Sequence, residues 1–127
     1  VTVEKNRQEG DTPSGKPAPC EVTFTYEGQT RKGHTTHFSE TGMMIFCREP
    51  APLNTKLTLT IRIPGVEKPV KLSAEVVWTN IFGSEDAITP RGMAVKFLGL
   101  DAGLARMLFE VSAKYQVYGD PYAAYYS

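Results

Sequence analysis

The chain of 127 residues carries fourteen Lys and Arg against fourteen Asp and Glu, with 41% apolar residues. That length suits one domain able to bury a real core. A net charge of zero gives no global field drawing the chain to nucleic acid or to an anionic membrane, and no apolar run approaches the ~20 residues of a membrane span.

Two cysteines, Cys20 and Cys47, are too few for a disulfide framework. Both fall at apolar strand positions, which predicts buried thiols in a reduced, cytoplasmic setting. There is no signal-peptide pattern. The chain opens on Val1 rather than Met, as a piece of a longer protein would.

Residues 1–19 hold Gly10, Asp11, Pro13, Ser14, Gly15, Pro17 and Pro19, the composition of a flexible leader. Cys20, Val22, Phe24 and Tyr26 then alternate with polar residues, predicting a half-buried strand. Gly28 and Gln29 turn the chain, and Arg31 to Phe38 continues as a polar, Thr-rich strand. Met43 to Cys47 is a short apolar run, expected to be buried on both faces. Pro50, Pro52 and Asn54 mark a loop.

Leu57, Leu59, Ile61 and Ile63 alternate with Thr58, Thr60 and Arg62, and Pro64-Gly65 ends that strand in a turn. Val70, Leu72, Ala74, Val76 and Trp78 form the next alternating run. Trp78 closes its apolar face and reads as core, with a place on a barrel rim as the alternative. Residues 80–90 form a polar loop, and Gly92 to Leu98 is the last strand. The period then changes. Leu100, Leu104, Met107, Leu108, Val111 and Tyr115 recur at helical steps, behind Asp101 as N-cap. Residues 118–127 read as a Tyr-rich tail. The whole predicts an all-β fold: a small antiparallel six-stranded barrel with a C-terminal α-helix, spanning 20–117.

Between the second and third strands lies His37-Phe38-Ser39-Glu40-Thr41-Gly42. It reads as a tight turn, with Gly42 supplying backbone freedom and the Ser39 hydroxyl bonding nearby backbone. In this setting it resembles the Asp/Asn-x-Ser-x-x-Gly signature of the PilZ family, bacterial β-barrel domains of which many bind cyclic di-GMP. Ser39 and Gly42 match, and His37 stands at the Asp/Asn position. Leu72-Ser-Ala-Glu-Val-Val-Trp78 and Gly92-Met-Ala-Val-Lys-Phe-Leu98 are similar to two strands of that family, and Leu100-Asp101 opens the helix as it does there. The order and spacing of these pieces carry the resemblance over about residues 20–112.

The resemblance implies a nucleotide ligand held by an Arg-x-x-x-Arg segment ahead of the first strand. Such guanidinium groups fork onto phosphate and onto the acceptor edge of guanine and stack on the bases. This chain has no such segment. Arg7 is the only arginine of the leader, and Lys16 falls close to where the second would stand. Lysine meets a phosphate but makes no planar fork. Neutral imidazole at His37 offers one donor and one acceptor, so it cannot accept the paired donors of guanine as a carboxylate does. Two lost contacts at about 1.5–3 kcal/mol each weaken binding about a hundredfold to ten-thousandfold.

The sequence supports three readings unequally. The first is a regulatory or adaptor module that acts through contacts with a protein partner and binds cyclic di-GMP weakly or not at all. The second is a variant cyclic di-GMP receptor using Arg7, Lys16, Arg31, His37, Ser39 and Gly42, changing conformation on the nucleotide. The third, an enzyme, lacks any catalytic constellation. No metal or cofactor is expected, since His34, His37 and Cys47 lack a fixed third-ligand spacing. For a partner, one candidate surface is Phe38 and the turn beside it. The favoured one is the helix and tail, with Tyr115, Tyr118 and Tyr122, left free by Gly119, Asp120 and Pro121 until a partner orders them.

Overall fold

Alternation of apolar and polar residues decides where the strands form and which way they face. The structure is a computed structural model, and it describes residues 18–82, 91–116 and 119–126. β1 (Cys20–Tyr26) turns Cys20, Val22, Phe24 and Tyr26 inward. Glu27 and Gly28 both have positive φ, the geometry of a two-residue hairpin turn. The chain then runs through β2 (Gln29–Phe38), β3 (Gly42–Phe46), β4 (Lys56–Arg62), β5 (Val70–Asn80), β6 (Gly92–Leu98), α1 (Ala102–Ser112) and α2 (Ala123–Tyr126). The six strands close into an antiparallel barrel in the order β1-β2-β3-β6-β5-β4, with β1 pairing β4. Closure leaves no sheet edge open to another chain.

The interior is apolar: Phe24, Met43, Ile45, Leu59, Ile61 and Val95 are all fully buried. The expected helix is present but shorter, ending at Ser112 rather than Tyr115. Asp101 caps it, its carboxylate accepting from the Leu104 amide at 2.7 Å. The predicted helical face packs on the barrel core, with Leu108 fully buried and Leu104, Met107 and Val111 partly so. Both cysteines are free and buried.

The reading of residues 118–127 as a tail free of the barrel fails for its described part. Residues 119–126 fold back, and α2 lies against β3, β5 and β6. Tyr126 is fully buried there. The leader up to residue 17, the loop 83–90 and Tyr118 lie outside the described residues.

Candidate functional site

The turn between β2 and β3 is closed by its own groups. The Ser39 amide donates to the Gly42 carbonyl at 2.9 Å. The Ser39 hydroxyl accepts from the Thr41 amide at 3.1 Å and shares a hydrogen bond of 2.9 Å with the Thr41 hydroxyl. Ser39 thus bonds local backbone, as its place in the turn predicts. Gly42 has a different role from the one expected. Its φ is not in the positive range that favours glycine. What it lacks is room: a Cβ there would press on the Val95 carbonyl oxygen and on the Tyr126 side chain.

Two β-bulges build the outer wall beside this turn. On β2 the register slips between His34, opposite Phe46, and His37, opposite Met44. The Thr35 hydroxyl holds the slip, accepting from the His37 amide at 3.0 Å. On β5 the register slips between Val76, opposite Val95, and Trp78, opposite Ala94. Each bulge inserts one residue and so reverses the facing of the strand beyond it. Paired residues share a face, so the row His37–Met44–Ala94–Trp78 runs across β2, β3, β6 and β5. Beside it runs the core row Phe38–Met43–Val95–Val76. Unbroken period-2 counting from Val70 places Trp78 inside. The extra residue Val77 moves it to the outer wall.

The C-terminal segment covers this row. Met44, Ala94 and Tyr126 form a buried cluster separate from the barrel interior, with Phe46, Val77, Trp78, Tyr122 and Ala123 packed around it. The Tyr125 ring lies on Trp78, centroids 4.6 Å apart and planes 2° from parallel. The Tyr122 ring meets His37 edge-on at 4.9 Å and Phe46 at 5.6 Å. Asp120 accepts from the Tyr126 hydroxyl and from the Tyr122 amide, the latter at 2.9 Å. Burial first, then the Asp120 contact, raises the Tyr126 phenol well above its ordinary value. Burial, with smaller contributions from Tyr125 and Asp120, raises Tyr122 as well. Both therefore meet the wall as neutral rings at physiological pH.

The remaining candidate residues are scattered. Arg31 pairs with Phe24 near the far end of β2, about 25 Å from Ser39 at the usual strand rise. Its guanidinium donates to Gln29 Oε1 at 2.7 Å and to the Glu49 carbonyl at 3.1 Å, and sits over the Tyr26 ring. It does not join Ser39 and Gly42 in one site. Phe38 is fully buried, so it offers nothing to a partner. Tyr115 is turned inward too. Its ring packs on Phe38 at 5.2 Å and its hydroxyl donates to the Ala18 carbonyl at 2.8 Å. Arg7, Lys16 and Tyr118 lie outside the described residues. Sequence reasoning missed the ring contacts of Tyr122 with Phe46 and of Tyr125 with Trp78. Their only signal in the sequence is a run of aromatic residues at the C-terminus, to be matched with aromatic strand ends.

Among the described residues no group of three His, Cys, Asp or Glu side chains converges as a metal site would. No helix among them is long and apolar enough to cross a membrane. Burial pushes the Cys47 thiol up to about 12, against a smaller lowering by Arg31. It raises Cys20 as well, which disfavours the thiolate form at both positions.

A six-stranded antiparallel barrel, a Ser-x-x-Gly turn between its second and third strands and a closing helix define the class. The PilZ domain family matches residues 14–113, and the chain belongs to that family. The solved structure of the Bacillus subtilis inhibitor of motility (MotI/DgrA) is similar, with a TM-score of 0.59 at 20% identity. The match covers 80% of this chain and 48% of that one, so this chain spans about half of that structure's length. No curated relative matches the chain.

Proposed function

We propose that the domain is a regulatory adaptor that works through contacts with a protein partner, and that its affinity for cyclic di-GMP is weak or lost. The observation that carries this reading is the state of the signature wall. His37, at the position where the family signature has Asp or Asn, has its ring against Tyr122 and Phe46. Gly42 lies beneath Tyr126. Imidazole lacks the paired acceptors that guanine's donor edge needs, and the chain's own tyrosines fill the space beside it. The absence of an Arg-x-x-x-Arg segment supports the same reading. The similarity to a protein named as an inhibitor of motility supports the regulatory part of the reading and bears in no way on nucleotide affinity. A cytoplasmic location and a non-catalytic role belong to this proposal; two free, buried thiols are in keeping with a reducing compartment.

Calorimetric titration of the full chain with cyclic di-GMP tests the nucleotide part. Weak or no heat at micromolar nucleotide is the expected result. A saturating 1:1 or 2:1 isotherm in that range refutes it and favours the variant receptor.

A further inference from the structure

The helix α1 buries one side and leaves the other bare. Leu104, Leu108 and Val111 pack on the barrel core. At about 3.6 residues per turn, Phe109 and Ala113 stand on the opposite side. The Phe109 ring is 57% exposed. One bare ring alone signals nothing, but the surroundings of this one are particular. Ala105 and Ala113 lie one turn to either side of it and Ala102 two turns before it, so no long side chain along that line shields the ring. Along one flank run Arg106 and Glu110, joined by an ion pair of 3.2 Å with their side chains 81% and 63% exposed.

We propose that this face of α1 docks on the same face of a second copy of the chain, the two helices antiparallel about a two-fold axis near Phe109. Such an axis brings the same flank of both helices together and reverses their direction. Arg106 of one copy then comes beside Glu110 of the other, and Glu110 beside Arg106, because these two residues lie on either side of Phe109 along one flank. The charge pattern is thus complementary to itself, as a two-fold contact requires. The alanines leave room for the ring of the other copy, so the two Phe109 side chains bury each other inside a charged rim. A net charge of zero puts no repulsion between copies. The barrel is closed and offers a second copy no strand edge. With 11 residues, α1 is about 16 Å long, so the patch falls below the roughly 800 Å² per partner of a standard interface. The dimer is therefore weak and its population rises with concentration. This face belongs neither to the signature turn nor to residues 119–126, so the pairing stands whether or not a nucleotide binds.

Sedimentation velocity of the full chain tests it. Between about 10 and about 500 µM the weight-average coefficient should climb from the monomer value toward that of the dimer. Phe109→Glu should hold the chain as a monomer throughout that range, with its circular dichroism unchanged. Two charge variants decide without touching the ring, at side chains exposed enough to leave folding intact. Arg106→Glu alone and Glu110→Arg alone each set like charges against each other across the axis and should weaken pairing about tenfold or more. Mixed in equal amounts, the two variants should pair about as well as the unsubstituted chain. Mixing cannot restore the ion pair within either helix, so the recovery reads a contact between copies. A monomer at every concentration overturns the second copy and leaves the face to a different protein. A dimer indifferent to Phe109→Glu, or a mixture that pairs no better than its parts, overturns the proposal as well.

Discussion

Gly42→Ala separates two accounts of the signature glycine. One holds that glycine is needed for backbone freedom, the other that it is needed for space. The backbone at Gly42 is not in the positive-φ region, so alanine meets no dihedral penalty there. The cost is steric. The new methyl would press on the Val95 carbonyl oxygen and lie 2.8 Å from Cβ and Cδ1 of Tyr126. That carbonyl cannot swing aside cheaply. Gly42 pairs with Lys96 in the β3–β6 ladder, and the Phe97 amide donates to the Thr41 carbonyl at 2.9 Å. Overpacking of this kind costs about 1–3 kcal/mol. The alanine also reduces the freedom of the unfolded chain, which returns about 0.4–1 kcal/mol. The net expectation is a loss of about 1–2 kcal/mol, or a fall in Tm of roughly 4–8 °C for a domain of this size. Urea unfolding followed by Trp78 fluorescence and by circular dichroism measures it. In the Tyr126→Ala background the penalty should shrink without vanishing, because the Val95 carbonyl stays. Gly42→Asn should be worse than Gly42→Ala. If the alanine variant is as stable as the original, or asparagine is the better tolerated of the two, the space argument is wrong.

Asp101→Ala should cost about 1 kcal/mol by leaving the Leu104 amide without its cap, while Asp101→Asn should keep most of the stability; thermal unfolding of the two variants checks this, and equal losses would deny the cap. Burial raises Cys47 to about 12 and also raises Cys20, Tyr115 and Tyr126, so the folded state holds these protons more tightly than the unfolded chain. Their contribution is full below the ordinary thiol value of 9.0 and is lost as pH rises from there through the folded values, so the urea midpoint should be lower at about pH 10.5 than at about pH 8. Equal midpoints would mean that these groups are not desolvated.

Legibility followed the rule of alternation and failed where alternation breaks. β4 reads inward at Leu57, Leu59 and Ile61, and the structure buries all three. The α1 face from Leu104 to Val111 was equally plain, because apolar residues at three- and four-residue steps line up on one side of a helix and on no one face of a strand. Trp78 was misplaced because a bulge has no compositional mark in Val76-Val77-Trp78. Phe38 looked like a stray apolar residue in a turn because the bulge at Thr35–Thr36 shifts the phase of β2 before it. Tyr126 was missed on different grounds. Short segments that dock by ring contact have no period, and their partners are set by topology.

The two bulges also account for why the signature turn and the C-terminal segment share one surface. Without the slip on β2, His37 would face Met43 and the barrel interior. Without the slip on β5, Trp78 would face Met93 on that same interior. With both, an imidazole and an indole stand at the two ends of one row, with Met44 and Ala94 between them. A row of that make-up left bare would be an exposed apolar patch on the outer wall. The chain covers it with its own C-terminal segment, and Gly42 leaves the clearance for Tyr126. Replacing Ala94, which belongs to the buried Tyr126 cluster, by Leu should therefore lift the segment without touching the signature turn. The expected sign is a red-shifted Trp78 emission with β-sheet circular dichroism retained. Unchanged emission would mean that the cluster has slack, and that the fit of the segment to this row does not decide its place.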